Sequence, residues 1–209
     1  MPILLLKLVL TPLLVGGSTL AARRWGPAIG GWLIALPLTS GPVLAFLALD
    51  HGSGFAAVAA IGSLTGLAGI AVYSAAYHGA ARRGASPLAS LGLAAGGFAV
   101  SGLAFSPVRE LPVPLVAIAV LGTILAAIRF VRPSGVMHSR VPHPRWDLPA
   151  RMIVATAIVL GLTTFAPLLG AGSSGLIATF PVYVSVLVAF THRHAGPVGA
   201  GDVLAGTLV

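Results

Sequence analysis

The chain has 209 residues, of which 57% are hydrophobic and only 8% are charged. Soluble domains carry roughly 25% charged residues, so this composition excludes an ordinary water-soluble domain and predicts an integral membrane protein. The net charge is +8. We interpret the basic residues as lying in short loops that set the membrane topology, and not as a nucleic-acid binding surface. The sequence contains no cysteine, which excludes disulfides and thiolate chemistry.

The predicted elements are long apolar segments, about seven of which can span a bilayer while an eighth begins near residue 197. They cover roughly 3–21, 29–49, 55–78, 86–105, 113–131, 149–168, 174–191 and 197–209. The predicted fold class is therefore all-α, a polytopic transmembrane helical bundle of about seven to eight helices in a single membrane domain, 1–209. The first segment lacks a small-residue cleavage motif, so it is predicted to be a retained helix and not a signal peptide.

Features of the third segment predict how it packs. Gly62-x-x-x-Gly66 is typical of a close contact between transmembrane helices. Tyr73, Tyr77 and His78 end the segment and are interpreted as an aromatic belt at the membrane interface.

The loops alternate in charge along the chain. Arg-rich loops at 22–28, 79–85, 132–148 and 192–196 alternate with neutral or acidic loops. By the positive-inside rule, the Arg-rich loops are predicted to be cytoplasmic and the N-terminus to lie outside. Asp50 and Glu110 then fall in external loops, and Lys7 is expected to extend to the outer interface.

Residues 4–65 recur without gaps at 148–209, with an offset of 144 residues. Pro37 falls on Pro181 and Phe46 on Phe190, and several glycines coincide. We therefore predict repeat A at about 4–65, connecting helices and a cytoplasmic loop at 66–147, and repeat B at about 148–209. The paired helices are five positions apart in chain order, an odd number, so the copies have opposite orientations, as in many secondary transporters. The second copy stops partway through its third helix, which leaves open a fragment or a lost tail.

Two proline-containing segments are the predicted substrate site. Prolines remove a backbone donor and distort a helix, which lipid tolerates only where the freed carbonyls face protein or a polar cavity. Broken helices at matching positions of two halves point to a transporter's binding site, although a simple kink whose hydroxyls bond back to the helix is the alternative. The predicted site residues are Pro37, Thr39, Ser40, Gly41 and Pro42 in the first copy, and Thr179, Pro181, Tyr183 and Ser185 in the second.

A half-helix beginning near Gly41 would direct its N-terminal dipole into the break, which favours an anionic or polar substrate group. Ion coupling would need a buried titratable group, and the candidates are Asp202, Asp50 and His51. The paired histidines His192 and His194 lack further ligands, so no metal and no cofactor are predicted.

The stretches from Gly31 to Pro37 and from Gly175 to Phe190 resemble small GlpM-type bacterial membrane proteins. Those proteins have about half this length, and they contain a helix that begins with Gly and carries Leu/Phe-Pro. The resemblance covers about 25 residues of each half. It implies a bacterial inner-membrane origin and a half-length unit that exists alone, and it supplies no catalytic residues.

These patterns together predict a small secondary transporter or exporter of a small polar or anionic solute, and not an enzyme. The expected partners are membrane lipid and the solute, with a homo-oligomer or a partner subunit as an open alternative and no nucleic acid. A non-catalytic membrane subunit or scaffold of a larger complex is the second hypothesis. An intramembrane lipid-modifying enzyme is the third, and the scattered carboxylates argue against it.

Overall fold

The computed structural model describes residues 2–25, 40–132 and 147–208, and within these ranges the chain is helical without strands. The predicted all-α class is confirmed for this part of the chain. In chain order the helices are α1 (Pro2–Trp25), α2 (Ser40–His51), α3 (Ser53–Arg82), α4 (Pro87–Ala104), a short 3-10 helix (Pro107–Glu110), α5 (Val113–Phe130), α6 (Asp147–Leu169), α7 (Ala171–Ala178) and α8 (Val182–Leu208).

Three of the described helices are long and apolar enough to cross a membrane, fewer than the seven to eight that the sequence predicts. They are α3, α4 together with the 3-10 helix, and α5. The bent helix α6 adds a fourth if its two parts count as one span. The difference arises partly because prolines and glycines divide apolar runs into helices that are too short to span alone.

Local signals explain where the central helices begin and end. The chain leaves α3 through Gly84, which has φ +82°, and the amide of Ala85 donates to the carbonyl of Ala80. This is a helix C-cap that glycine favours because it lacks a Cβ. Ser86 then caps α4 by accepting from the amide of Ala89 at 3.3 Å, and Pro87 occupies the first turn.

The chain forms two compact units, which we call the first unit and the second unit. The first unit comprises Met1–Ser63 and His143–Ala178, and the second comprises Leu64–Pro142 and Thr179–Val209. The boundary falls inside α3, so that one continuous helix contributes residues to both units.

In the first unit, α1 packs along α6, and the buried core includes Val43, Phe46, Leu47 and Val159. The early part of α3 approaches α7 so closely that side chains cannot separate the two backbones. A Cβ at Gly175 would overlap the carbonyl oxygen of Ala59, and a Cβ at Gly62 would overlap that of Gly172. The predicted glycine contact on α3 is therefore confirmed at Gly62, which packs against backbone.

In the second unit, the remainder of α3 packs against α4 and α5. Buried Ala68, Val116 and Val120 form one core cluster. The absence of a side chain at Gly69 leaves room for the ring of Phe98, because a Cβ there would lie 2.8 Å from two ring carbons. Tyr73 and Tyr77 are fully buried and His78 is 8% exposed, so the interpretation of these residues as an interfacial belt is wrong.

The C-terminal helices differ from the two segments predicted there. The predicted segment 174–191 is divided at Thr179–Pro181 into the end of α7 and the start of α8. The predicted segments that end at 191 and begin at 197 correspond to two helical arms of α8 that are separated by a kink. Gly196 has φ 71° and ψ −173° inside that helix and divides it into two arms, 182–195 and 197–208.

Candidate functional site

The break between α7 and α8 is the structural centre of the predicted site in the second copy. Helix α7 ends at Ala178 and α8 begins at Val182, with Thr179, Phe180 and Pro181 between them. Pro181 is buried and has no amide hydrogen to extend the preceding helix. The helix break predicted from this proline is confirmed.

Within the second unit, the break is pressed against α3. A Cβ at Gly66 would overlap the hydroxyl oxygen of Thr179, so the absence of a side chain at Gly66 is what lets the break approach. This confirms the second glycine of the predicted Gly62-x-x-x-Gly66 contact, although the neighbour is a threonine side chain and not a helix backbone. The phenyl ring of Phe180 is edge-on to Phe98 at 5.1 Å and to Tyr73 at 6.0 Å, which fixes the break between α3 and α4.

A buried chain of hydrogen bonds begins at the break. The Tyr73 hydroxyl donates to Ser185 Oγ at 2.7 Å, and Ser185 Oγ donates to the carbonyl of Pro181 at 2.8 Å. Tyr73 belongs to α3, and Ser185 lies in the first turn of α8. This chain satisfies the buried phenol and ties the carbonyl beside the break to the neighbouring helix. Of the residues predicted here, the structure brings Thr179, Pro181 and Ser185 together.

Arg109 brings a positive charge to the second unit. Its Nε donates to Thr65 Oγ1 at 3.1 Å and one terminal nitrogen donates to the carbonyl of Gly102 at 3.3 Å. The guanidinium is half-buried and pairs with no carboxylate among the described residues. Thr65 is next to Gly66, the α3 residue that contacts Thr179 at the break. The guanidinium of Arg109 therefore contacts α3 one residue away from that position.

The sequence did not single out Arg109 as a site residue, because its positive charge and the negative charge of the adjacent Glu110 cancel in one predicted external loop. The 3-10 helix turns the two side chains apart, since Glu110 is exposed whereas Arg109 reaches back to α3 and α4. Pro107, at the start of the 3-10 helix, could have indicated that the chain changes direction here. It does not show which of the side chains that follow points inward.

The predicted residues of the first copy lie in the first unit. Ser40, Gly41 and Pro42 form the first turn of α2 and are partly buried. A helix start near Gly41 was predicted; the residues just before Ser40, which would test it, lie outside the described residues. Pro37 and Thr39 lie outside the described residues, as does the side chain of Tyr183.

The predicted coupling residues have different surroundings. Asp50 forms an ion pair with Lys7, and the Lys7 and Asp50 side chains are 9% and 18% exposed. The Lys7 ammonium also lies 5.7 Å from the centre of the Phe46 ring. His51 is exposed and stacks at 4.8 Å on Phe55, whereas Asp202 is partly buried in the second arm of α8.

A groove on the first unit is lined by none of the predicted site residues. It is open, has a volume of about 620 Å³, and lies between α1 and α6 beside Pro12, Met152 and Leu160. Its lining is almost entirely apolar. Such a surface suits a lipid chain better than a polar solute.

Among the residues that the structure describes, no group of three or more His, Asp or Glu side chains could hold a metal ion. Comparison of the chain with protein-family models, with curated proteins and with solved structures finds no match. The resemblance to GlpM-type proteins therefore remains a prediction from the sequence.

Proposed function

We propose that the chain is a small secondary transporter that moves a small polar or anionic solute by alternating access around broken helices. The observation that carries the proposal is the break at Thr179–Pro181, with a buried hydrogen-bond chain from Tyr73 through Ser185 to Pro181. Interrupted helices near the middle of an apolar bundle are where transporters place solute sites. Polar side chains inside an apolar bundle are uncommon and often mark a functional site.

The charge around the break favours an anionic solute. The N-terminus of α8 directs its first amides and the positive end of its dipole toward the break. Arg109 adds a cation on the same unit, and Tyr73 and Ser185 add hydroxyls. Arginine recognises carboxylate and phosphate groups through several parallel hydrogen bonds. We therefore propose a small carboxylate or phosphate compound as the solute class.

The proposal includes the inverted repeat predicted from the sequence. At an offset of 144 residues, α1 falls on α6. The same offset carries α2 from 40–51 onto 184–195, which lies within the first arm of α8. Gly52 and Gly196, which coincide at this offset, both have positive φ, of 86° and 71°.

The Lys7–Asp50 ion pair supports the proposed orientation in the membrane. The charge pattern assigns both residues to the outer side, and the structure joins them. On this basis we propose a multi-pass protein of a bacterial inner membrane with its N-terminus outside and its Arg-rich loops in the cytoplasm.

Reconstitution into proteoliposomes tests the proposal. Uptake of labelled phosphate, monocarboxylates and dicarboxylates is measured with the wild type and with Pro37→Ala, Ser40→Ala, Tyr73→Phe and Ser185→Ala. Thr123→Ala is the matched control, because Thr123 bonds only to the carbonyl of Ala119 in its own helix. We expect uptake of one class, slowed by about 2- to 12-fold in each hydroxyl variant, as the loss of one neutral hydrogen bond implies.

The possible failures have separate meanings. Unchanged flux in Pro37→Ala and Ser40→Ala contradicts the site in the first copy, and unchanged flux in Tyr73→Phe and Ser185→Ala contradicts the site in the second. A stable, monodisperse protein without flux of any tested solute contradicts transport of these solutes. Purification that always retains a second protein would favour the alternative of a subunit in a larger complex.

A further inference from the structure

A buried histidine in the second unit has an unsatisfied ring nitrogen. His78 lies near the end of α3, is 8% exposed, and its Nδ1 has no hydrogen-bond partner. Its ring is edge-on to Phe130 of α5 at 5.8 Å. On another side it meets the backbone of α8, where a Cβ at Gly201 would lie 3.1 Å from both Nδ1 and Cε1. Glycine at 201 therefore lets the imidazole fit against the second arm of α8.

One turn earlier on the same face of α3, Ser74 is fully buried and its hydroxyl also lacks a partner. The buried hydroxyls of Thr11 and Ser90 also lack a partner, whereas those of Thr163 and Thr191 bond to a carbonyl of their own helix. Ser74 differs from Thr11 and Ser90 because it lies four residues from the unsatisfied imidazole of His78 on one helix. Side chains at positions i and i+4 of a helix are neighbours, with Cβ atoms about 5–6 Å apart. Two adjacent unsatisfied polar groups in an apolar interior indicate a missing guest or proton.

The species that these two groups are best suited to bind is a proton. Neutral imidazole has one donor and one acceptor nitrogen, and protonated imidazole has two donors. The Ser74 hydroxyl and His78 Nδ1 are not hydrogen-bonded to each other in this structure. After a change of side-chain rotamer, the hydroxyl can donate to Nδ1 in the first state and accept from it in the second. One nitrogen and one hydroxyl are too few ligands for a metal ion.

Other titratable and charged groups lie on the helices around His78. They are Tyr73, Tyr77 and Arg82 on α3, Arg129 on α5, and His192, Arg193, His194 and Asp202 on α8. Tyr77 is hydrogen-bonded to His192 Nδ1 at 3.1 Å. Arg82 and Arg129 are exposed, and the positive charge of Arg82, four residues after His78, opposes a positive charge on the imidazole. Asp202, next to Gly201, is the acidic side chain on α8.

We propose that His78 and Ser74 form a proton-binding site, and that its proton drives solute movement; the second clause rests on the transport function proposed above. The lone pair of Nδ1 takes a proton from water and later returns it to water, and no other bond changes. His78, Tyr77 and Tyr73 lie within six residues of α3. Polar side chains therefore run from the proton site to the hydrogen bonds at the helix break.

Proton binding is tested without any solute. Protein with ¹⁵N-labelled histidine is placed in lipid nanodiscs, and the His78 signals are identified with His78→Gln and followed by NMR from about pH 4 to pH 8. We expect one transition from the neutral to the protonated pattern, with a midpoint that moves by about 0.3–1 pH unit in Ser74→Ala. The exposed His194→Gln is the control and leaves the midpoint unchanged. A His78 ring that keeps one pattern throughout this range contradicts the proposal.

Coupling is tested separately in proteoliposomes that contain the pH dye pyranine. We expect His78→Gln to lose at least about tenfold in solute-dependent proton uptake, while solute exchange at equal pH stays within about twofold of the wild type. Proton uptake that persists in His78→Gln contradicts the coupling role. If no variant moves solute but His78 still titrates, the transport function is wrong and the proton site stands.

Discussion

The ion pair between Lys7 and Asp50 gives the sharpest stability prediction. It joins α1 to the last turn of α2, and its side chains are 9% and 18% exposed. Lys7 is buried, whereas Asp50 as a whole residue is exposed, so the pair is part-buried. Removing one partner leaves a charge without compensation, which costs about 1–3 kcal/mol in such a setting. We therefore expect Lys7→Met or Asp50→Asn to lower the free energy of unfolding by about that amount.

Replacing both charges should behave differently. The double variant Lys7→Met/Asp50→Leu leaves no unpaired charge, and exchanging a buried ion pair for apolar residues is often neutral or stabilising. It also loses the contact of the Lys7 ammonium with the Phe46 ring, worth about 0.5–2 kcal/mol. We expect the double variant to lie within about 2 kcal/mol of the wild type.

Equilibrium unfolding in mixed detergent micelles, followed by circular dichroism, measures these differences. The control is Glu110→Gln, because Glu110 is exposed and forms no ion pair in the described part of the chain. Its effect should stay below about 0.5 kcal/mol. Single variants that match this control, or a double variant whose loss equals the sum of the single losses, would refute a part-buried and coupled pair.

Three further predictions concern backbone approach and the hydrogen bonds at the break, and the same unfolding assay checks them. Gly175→Leu should cost at least about 3 kcal/mol because its side chain would overlap a backbone carbonyl, whereas Gly161→Ala, with open space around it, should be neutral or stabilising by up to about 1 kcal/mol. Gly196→Ala should cost about 1–3 kcal/mol because φ 71° with ψ −173° is a region that essentially only glycine adopts, and a loss no larger than that of Gly161→Ala would contradict this. Tyr73→Phe and Ser185→Ala should show a coupling energy of about 0.5–1.5 kcal/mol in a double-mutant cycle, and strict additivity would mean that their hydrogen bond contributes nothing.

The central helices could be predicted closely from the sequence. The predicted segments 55–78, 86–105 and 113–131 correspond to Ser53–Arg82, Pro87–Ala104 and Val113–Phe130. Each is a long apolar run that ends at Gly, Pro or Arg, so composition alone marks both ends. The C-terminal region was harder, because Pro181 and Gly196 act on backbone geometry inside apolar sequence. The proline break was predicted, and so was a boundary between segments near residues 192–196, where the structure has a kink at Gly196.

The site could be predicted only in part, for a physical reason. Prolines and hydroxyls mark a break locally, so Thr179, Pro181 and Ser185 were found. The partners of those residues come from distant parts of the chain, as Tyr73 and Ser185 do, and no spacing in the sequence brings them together. Burial of Tyr73, Tyr77 and His78 likewise depends on neighbouring helices, and aromatic residues at the end of an apolar run are equally typical of an interface.

The division of α8 at Gly196 has a consequence for how the protein is made. Its first arm, 182–195, is only about 21 Å long at 1.5 Å per residue, against a hydrocarbon core of about 30 Å. The polar triplet His192-Arg193-His194 ends this arm, so the arm cannot be lengthened into lipid. The first arm is therefore not a sufficient signal for independent insertion during synthesis. We expect α3, α4 and α5 to enter the bilayer first, and the first arm of α8 to follow by packing against the assembled helices.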